Sequence, residues 1–388
     1  MHTRIQSQKR FGTGIALKTG FEFHVTRAAL LLSLTVSAGV YAEDGFTPKR
    51  TASGKPDFSG VYDGGSLTPL NRPKEFGDRA FMTKAEADGI AGTLAGRLAA
   101  AGAQSDPDRG APVAGGDGNN AAGAGGVGGY NAFYVDMGSA VDEIDGKYRT
   151  SIIYDPPNGR QPAMTEAAQR RIADNFSSFS HDNDGTASWL AHEGPGPFDG
   201  PESLALSERC LLAFSSGVPS IPSLYNNFRS ITQTEDHFVI LLEMVHDARI
   251  VRINSEHGPE ANRKWLGDSI GYWEGDTLVV ESKNFRAVSA LNGADENLHV
   301  VERFTRMANG NLLYDFTVTD PTAWTAPWSG QFVWKRSDQL VYEYACHEGN
   351  YAMGNILRGA RLLEREALEQ GSVEARSPQQ GAAVESGE

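Results

Sequence analysis

Between Asp236 and Cys346 the chain runs through apolar–polar alternation broken by short turn signals, and few folds accommodate that pattern. His237–Ile253 (HFVILLEMVHDARIVRI) reads as one long strand or a bent pair. Gly271–Phe285 reads as a hairpin with Glu274-Gly275-Asp276 at its turn, and His299–Thr319 as another, turned by Asn309-Gly310. Asn-Gly between alternating runs is a strong hairpin signal, because both residues tolerate the positive φ that such turns require. Trp328–Arg336 and Gln339–Cys346 read as a third hairpin around Ser337-Asp338. Hairpins succeeding one another at this spacing predict a mainly β fold, an antiparallel meander closed into a barrel or stacked as a sandwich.

Helices are expected only at the periphery. Thr83 and Glu86 have the spacing of a capping box, so a helix is predicted from there to about Ala101. A second runs over Thr165–Phe176 with Thr165 as its cap. Met353–Gln370 is amphipathic, with Ile356, Leu357, Ala360 and Leu363 on one side, and is expected to plug or cover the barrel. Asn131–Tyr148 and Ser151–Tyr154 read as short strands, and 177–235 as irregular. Residues 102–129, with GGDGNNAAGAGGVGG, hold too much glycine for regular structure and read as a loop or linker. The organisation that follows is a leader over 1–42, a mixed region over 43–235, the meander with its helix over 236–370, and a polar tail over 371–388.

The leader has the form of a secretory signal. Arg4, Lys9, Arg10, Lys18 and Arg27 precede an apolar run from Ala28 to Val40, which ends in Val40-Tyr41-Ala42. That run is too short to span a bilayer, which takes about 20 residues. The expectation is a periplasmic or secreted protein with no membrane insertion after cleavage. The whole chain carries 35 basic and 49 acidic residues; without the five basic and one acidic residue of 1–42 its formal charge is −18. Such a surface repels nucleic acid. A small-molecule ligand or substrate is the expected partner, and the oligomeric state is left open.

Cys210 and Cys346 are the two cysteines. In an oxidising compartment they most simply pair; two free thiols, or a nucleophilic Cys346, are the alternatives.

Three groups of ionisable residues lie within predicted strands. By period 2, Glu243, Asp247 and Arg249 share a face and His246 takes the other. Inward, they form a site or a register-fixing ion pair; outward, a solvated face. Tyr342–Tyr351 (YEYACHEGNY) puts Glu343 and His347 on one strand face, with Glu348 and Tyr351 just past the strand end, where barrel sites are built. Val300, Glu302, Phe304 and Arg306 share a third face, and an inward arginine suits an oxyanion. Trp324 and Trp328 read as either a ligand lining or a packed corner. No metal centre is assigned: there is no HExxH and no paired CxxC, and HDNDG (His181–Gly185) lacks the spacing of a calcium loop. No P-loop, dinucleotide fingerprint or haem motif is present, so no cofactor is expected.

Taken together, GKPDFSGVY, SERC, HDARIV, WLGDSIGYWEGDTLVVES, ENLHVVERFTR, DPTAWTAPW and YEYACHEGNY resemble a large family of exported bacterial proteins over roughly residues 50–366. The resemblance implies export and one shared architecture, and adds no reaction. The late meander is also similar to lipocalin-like barrels, including those of carotenoid hydratase-type proteins. Phe58–Tyr62 is similar to their opening strand, with Tyr62 where those proteins carry Trp.

The function expected on these grounds is a cofactor-independent extracytoplasmic enzyme of lyase, hydratase or isomerase type. It would act on a small, partly apolar molecule at the barrel mouth. His347 would be the acid or base, oriented by Glu343 or Glu348, with Asp247 as counterpart, His246 nearby, and Arg249 or Arg306 holding a developing anion. The alternative is a lipocalin-like carrier of an apolar ligand lined by Trp324, Trp328 and Tyr342.

Overall fold

The computed structural model describes residues 48–102, 108, 134–178, 185–212, 217–289 and 291–371. The leader, nearly all of the glycine-rich 102–129 segment, the HDND of 181–184 and the tail after 371 lie outside the described residues.

Nine strands close a barrel. They are β1 (Gly60–Asp63), β6 (Phe228–Gln233), β7 (His237–Leu242), β8 (Ala248–Ile253), β9 (Asp268–Glu274), β10 (Thr277–Lys283), β11 (His299–Arg306), β12 (Leu312–Thr319) and β13 (Trp328–Ser337). They neighbour one another in that order, and β13 returns to pair with β1. A tenth strand, β5 (Ile153–Asp155), pairs with the start of β13. A separate small sheet holds β2 (Phe81–Met82), β3 (Glu143–Ile144) and β4 (Lys147–Arg149). Among the described residues no helix is long and apolar enough to cross a membrane.

The two expected hairpins form with the expected turns. Gly275-Asp276 joins β9 to β10, with Gly275 at φ 60°. Asn309-Gly310 turns β11 into β12, with Gly310 at φ 86°. All barrel pairings are antiparallel except β8–β9. A parallel pair needs a crossover, and residues 254–267 supply it.

The third hairpin does not form. β13 ends at Ser337, and residues 338–345 carry no strand. The reason is edge occupancy. The late half of β13 pairs with β1, Val61 facing Ser337 and Asp63 facing Lys335, while its first residues pair with β5. A returning strand after Ser337 would find no free edge. The barrel is completed by β1 and β6, both drawn from the mixed region, and β6 comes from a stretch that reads as irregular. The closed sheet thus crosses the boundary placed at 235/236.

Period 2 aims one row of each strand inward, and those residues fill the barrel. Phe58, Tyr62, Phe238, Phe304, Tyr314, Phe316, Phe332 and Trp334 are all 0 % exposed. Tyr314 stacks on Trp334 with centroids 4.7 Å apart, and Phe304 meets Trp334 edge-on at 5.4 Å. Burying each such ring contributes roughly 1.5–3 kcal/mol. The packing leaves no slack at Gly330, where a Cβ would come within 2.6 Å of the Phe316 ring.

The helices cap as expected. Thr83 and Glu86 form a reciprocal capping box at α1 (Lys84–Ala101), and Thr165 caps α2 (Glu166–Asn175). A single helical turn, α3 (Cys346–Gly349), leads into α4 (Tyr351–Glu369). The apolar side of α4 does not cover the barrel. Ala360, Leu363 and Ala367 pack with Ala187, Trp189 and Phe198, and the Trp189 indole N–H donates to Glu364 at 2.8 Å.

Candidate functional site

The expected catalytic face on HFVILLEMVHDARIVRI is broken by a turn. Met244–His246 is a short 3-10 segment between β7 and β8, with Val245 at φ 60° and His246 at φ 46°. Left-handed residues at 245 and 246 reset the strand parity between Glu243 and Asp247, so Glu243 does not continue the face of Asp247 and Arg249. Leu242 N–H donates to the Asp247 carbonyl at 2.8 Å and closes the turn, while His246 is exposed. Phe228 N–H donates to the Glu243 carboxylate at 3.3 Å, and burial raises the Glu243 pKa.

YEYACHEGNY lies outside the barrel. Tyr342, Glu343, His347, Glu348 and Tyr351 are all exposed; His347 and Glu348 lie in the helical turn and Tyr351 just after it, rather than at a strand end. Tyr344 and Cys346 pack on Met244 and Val245, so the structure does bring the two motifs side by side, on the outer surface. Cys346 is bonded to Cys210, the simplest of the expected states. Arg306 has a structural set of partners: its guanidinium donates to the Tyr62 hydroxyl at 2.9 Å and to the carbonyls of Gly310 and Asp57, each at 2.6 Å. Trp324 and Trp328 form a packed corner, 2 % and 0 % exposed, with ring centroids 5.7 Å apart.

Arg249 does point inward, and it builds a polar network in an otherwise apolar barrel. Its guanidinium lies 2.8 Å from the Glu302 carboxylate. The Tyr314 hydroxyl donates to Glu302 at 2.6 Å and accepts from Ser220 N–H at 3.0 Å. Ser220 Oγ in turn accepts from Arg229 Nε at 2.9 Å. Arg229 is 1 % exposed and sits over the Trp334 ring at 4.7 Å. Burial pushes the Arg229 pKa down to about 10, against the opposing pull of Tyr314, Asp63 and Glu243. Burial and the Glu302 charge hold the Tyr314 phenol well above its ordinary range, so it donates and does not ionise. Gly64 completes the fit: a Cβ there would fall 1.8 Å from Arg229 Nη1. Glu302 and Arg249 were legible as inward ionisable residues within apolar strands. Arg229 and Ser220 were not, because β6 and the segment before it give no periodic signal.

Ser220 is buried and precedes β6, bridging Tyr314 to Arg229. The next residue, Ile221, packs against the barrel core from outside and lines a cleft of about 1080 Å³. One wall of the cleft is α1, through Ile90 and Leu94; the other is Leu67, Leu70, Ile152 and Ile221. In α1 only Ala87 is buried; Ile90 is half-buried and packs on the cluster of Met82, Ala87 and Val141, while Leu94, half-buried, lines the cleft. At the rim, Arg79 and Glu86 pair with each other at 2.8 Å.

Among the described residues no cluster of three or more His, Cys, Asp or Glu is arranged to hold a metal ion. No family model matches the chain, and no curated protein matches it.

Proposed function

We propose that the chain is an extracytoplasmic carrier of a small apolar molecule, held in the cleft between α1 and the barrel mouth. One observation carries the reading. α1 turns the half-buried Leu94 toward a space of about 1080 Å³ whose lining includes Leu70, Ile152 and Ile221, while Ile90 and Leu67 close one end by packing on Met82, Ala87 and Val141. Half-exposed aliphatic side chains on both walls gain about 25 cal/mol per Å² when a ligand covers them. The ion pair at the rim, Arg79 with Glu86, is satisfied within itself. The Cys210–Cys346 disulfide and the signal-like leader support an oxidising compartment.

The acid–base enzyme reading has less support. His347, its proposed acid or base, and the orienting Glu343 and Glu348 stand exposed, the counterpart Asp247 is half-buried at the turn between β7 and β8, and the buried Arg249, Glu302 and Tyr314 are bonded to one another. The test is a titration of the uncharged fluorophore 1-aminoanthracene into the purified chain. Saturable binding at one site that Leu94→Asp weakens at least tenfold, with circular dichroism unchanged, is the expected result. Binding untouched by Leu94→Asp and Ile221→Asp would refute it.

A further inference from the structure

A second cavity, of about 740 Å³, lies away from the barrel mouth, where four separate segments meet: the end of α2, residues 189–197, residues 202–212, and the 288–292 loop. A space of this size suits a drug-sized ligand, for which cavities of about 300–1,000 Å³ are usual. Its walls combine apolar surface, from Phe176, Leu206 and Leu212, with three charged residues, Arg209, Asp174 and Glu202. Arg209 is half-buried, while Asp174 and Glu202 are exposed. Among the described residues none of the three side chains has an ion-pair or hydrogen-bond partner. A partly desolvated guanidinium without an anion is costly, and a carboxylate offsets that cost through a forked, charge-assisted pair. The two exposed acids set opposite charge on the same cavity. The rigid segment that carries Arg209 is tied down one residue later by the Cys210–Cys346 bond.

From this pattern we infer that the second cavity is a binding site for a short apolar peptide bearing both free termini. Its C-terminal carboxylate pairs with Arg209, its ammonium group is held by Asp174 or Glu202, and its side chains cover the apolar wall. One anionic and one cationic group on an apolar body are what this wall complements. A purely apolar ligand would leave Arg209 unpaired, and a dianion would meet Asp174 and Glu202.

The test is calorimetric titration of the full chain with the dipeptide phenylalanyl-leucine, its C-terminal amide and its N-acetyl form. The parent is expected to bind, and the amide to bind about tenfold or more weakly, the usual scale for a lost charged hydrogen bond. Arg209→Met should weaken the parent by a similar factor and leave the amide unchanged. The Asp174→Asn/Glu202→Gln double variant should weaken the parent and leave the N-acetyl form unchanged. An unchanged circular dichroism spectrum and urea midpoint of Arg209→Met serve as the check on folding. Equal binding of all three peptides, or no binding of any by a folded chain, overturns the inference, and neither result bears on the barrel-mouth reading.

Discussion

The Arg249 guanidinium lies 2.8 Å from the Glu302 carboxylate inside the barrel, with the two side chains only 5 % and 0 % exposed. Removing one member of such a pair leaves an uncompensated buried charge. Glu302→Gln should therefore cost about 3–5 kcal/mol of stability. Replacing both residues, as Arg249→Met with Glu302→Leu, should cost less than the single change. Urea unfolding followed by tryptophan fluorescence reads the difference. A cost under about 1 kcal/mol for Glu302→Gln would mean that water reaches Arg249.

The disulfide closes a loop with a sequence separation of 136. On the chain-entropy model, opening a loop of that order destabilises by about 4–5 kcal/mol. Cys210→Ser/Cys346→Ser should lower the urea midpoint accordingly. Dithiothreitol should lower the wild-type midpoint to that of the variant. A midpoint unmoved in both would show that α4 is held by Ala360 and Leu363 packing without the crosslink.

Acid sensitivity should centre on Asp268. Burial alone would raise its pKa, but Gly258 N–H, Lys264 and His257 outweigh it and hold the carboxyl at about 2. A depressed carboxylate stabilises above its unfolded pKa, about 3.9, and that contribution is lost as the pH falls toward the folded value. The expected contribution is on the order of 2 kcal/mol, present at neutral pH and fading between about pH 4 and pH 2. In unfolding curves taken from pH 6 to pH 2, Asp268→Asn should flatten this part of the profile. An unchanged profile would show that the Lys264 and His257 contacts do not persist in solution.

What the sequence disclosed, and what it withheld, follows from how local each signal is. The β9–β10 and β11–β12 hairpins were legible because alternation and turn residues both lie within one short segment. Thr83 with Glu86, and Thr165, were legible for the same reason. The strand expected over Gln339–Cys346 failed because alternation cannot report that β1 and β5 already occupy the edge of β13. The parity argument that joined Glu243 to Asp247 failed at Val245 and His246, whose left-handed backbone no residue type there announces. At the candidate sites, Arg249 was legible as a charge inside an apolar run. The cleft under α1 was not, because its lining comes from stretches of chain far apart in sequence, from 66–97 to 221–224.

Gly330 tests whether the barrel is as full as a barrel-mouth carrier requires. A lipocalin-like carrier keeps an internal cavity, and an added methyl group would be tolerated there. In this barrel a Cβ at Gly330 would approach the Phe316 ring to 2.6 Å and Ile152 Cγ2 to 3.0 Å. Phe316 cannot retreat, because Tyr314 and Trp328 hold it at centroid distances of 5.6 and 5.7 Å. Overpacking of this kind costs about 1–3 kcal/mol, so Gly330→Ala should destabilise by that amount. Phe316→Ala should destabilise by about 3–5 kcal/mol through the cavity that it leaves. Binding of 1-aminoanthracene should survive Gly330→Ala, since Ile90 and Leu94 lie on the other side of Ile152 and Ile221 from the core. Full stability in Gly330→Ala together with lost binding would place the ligand inside the barrel and remove the case for the cleft.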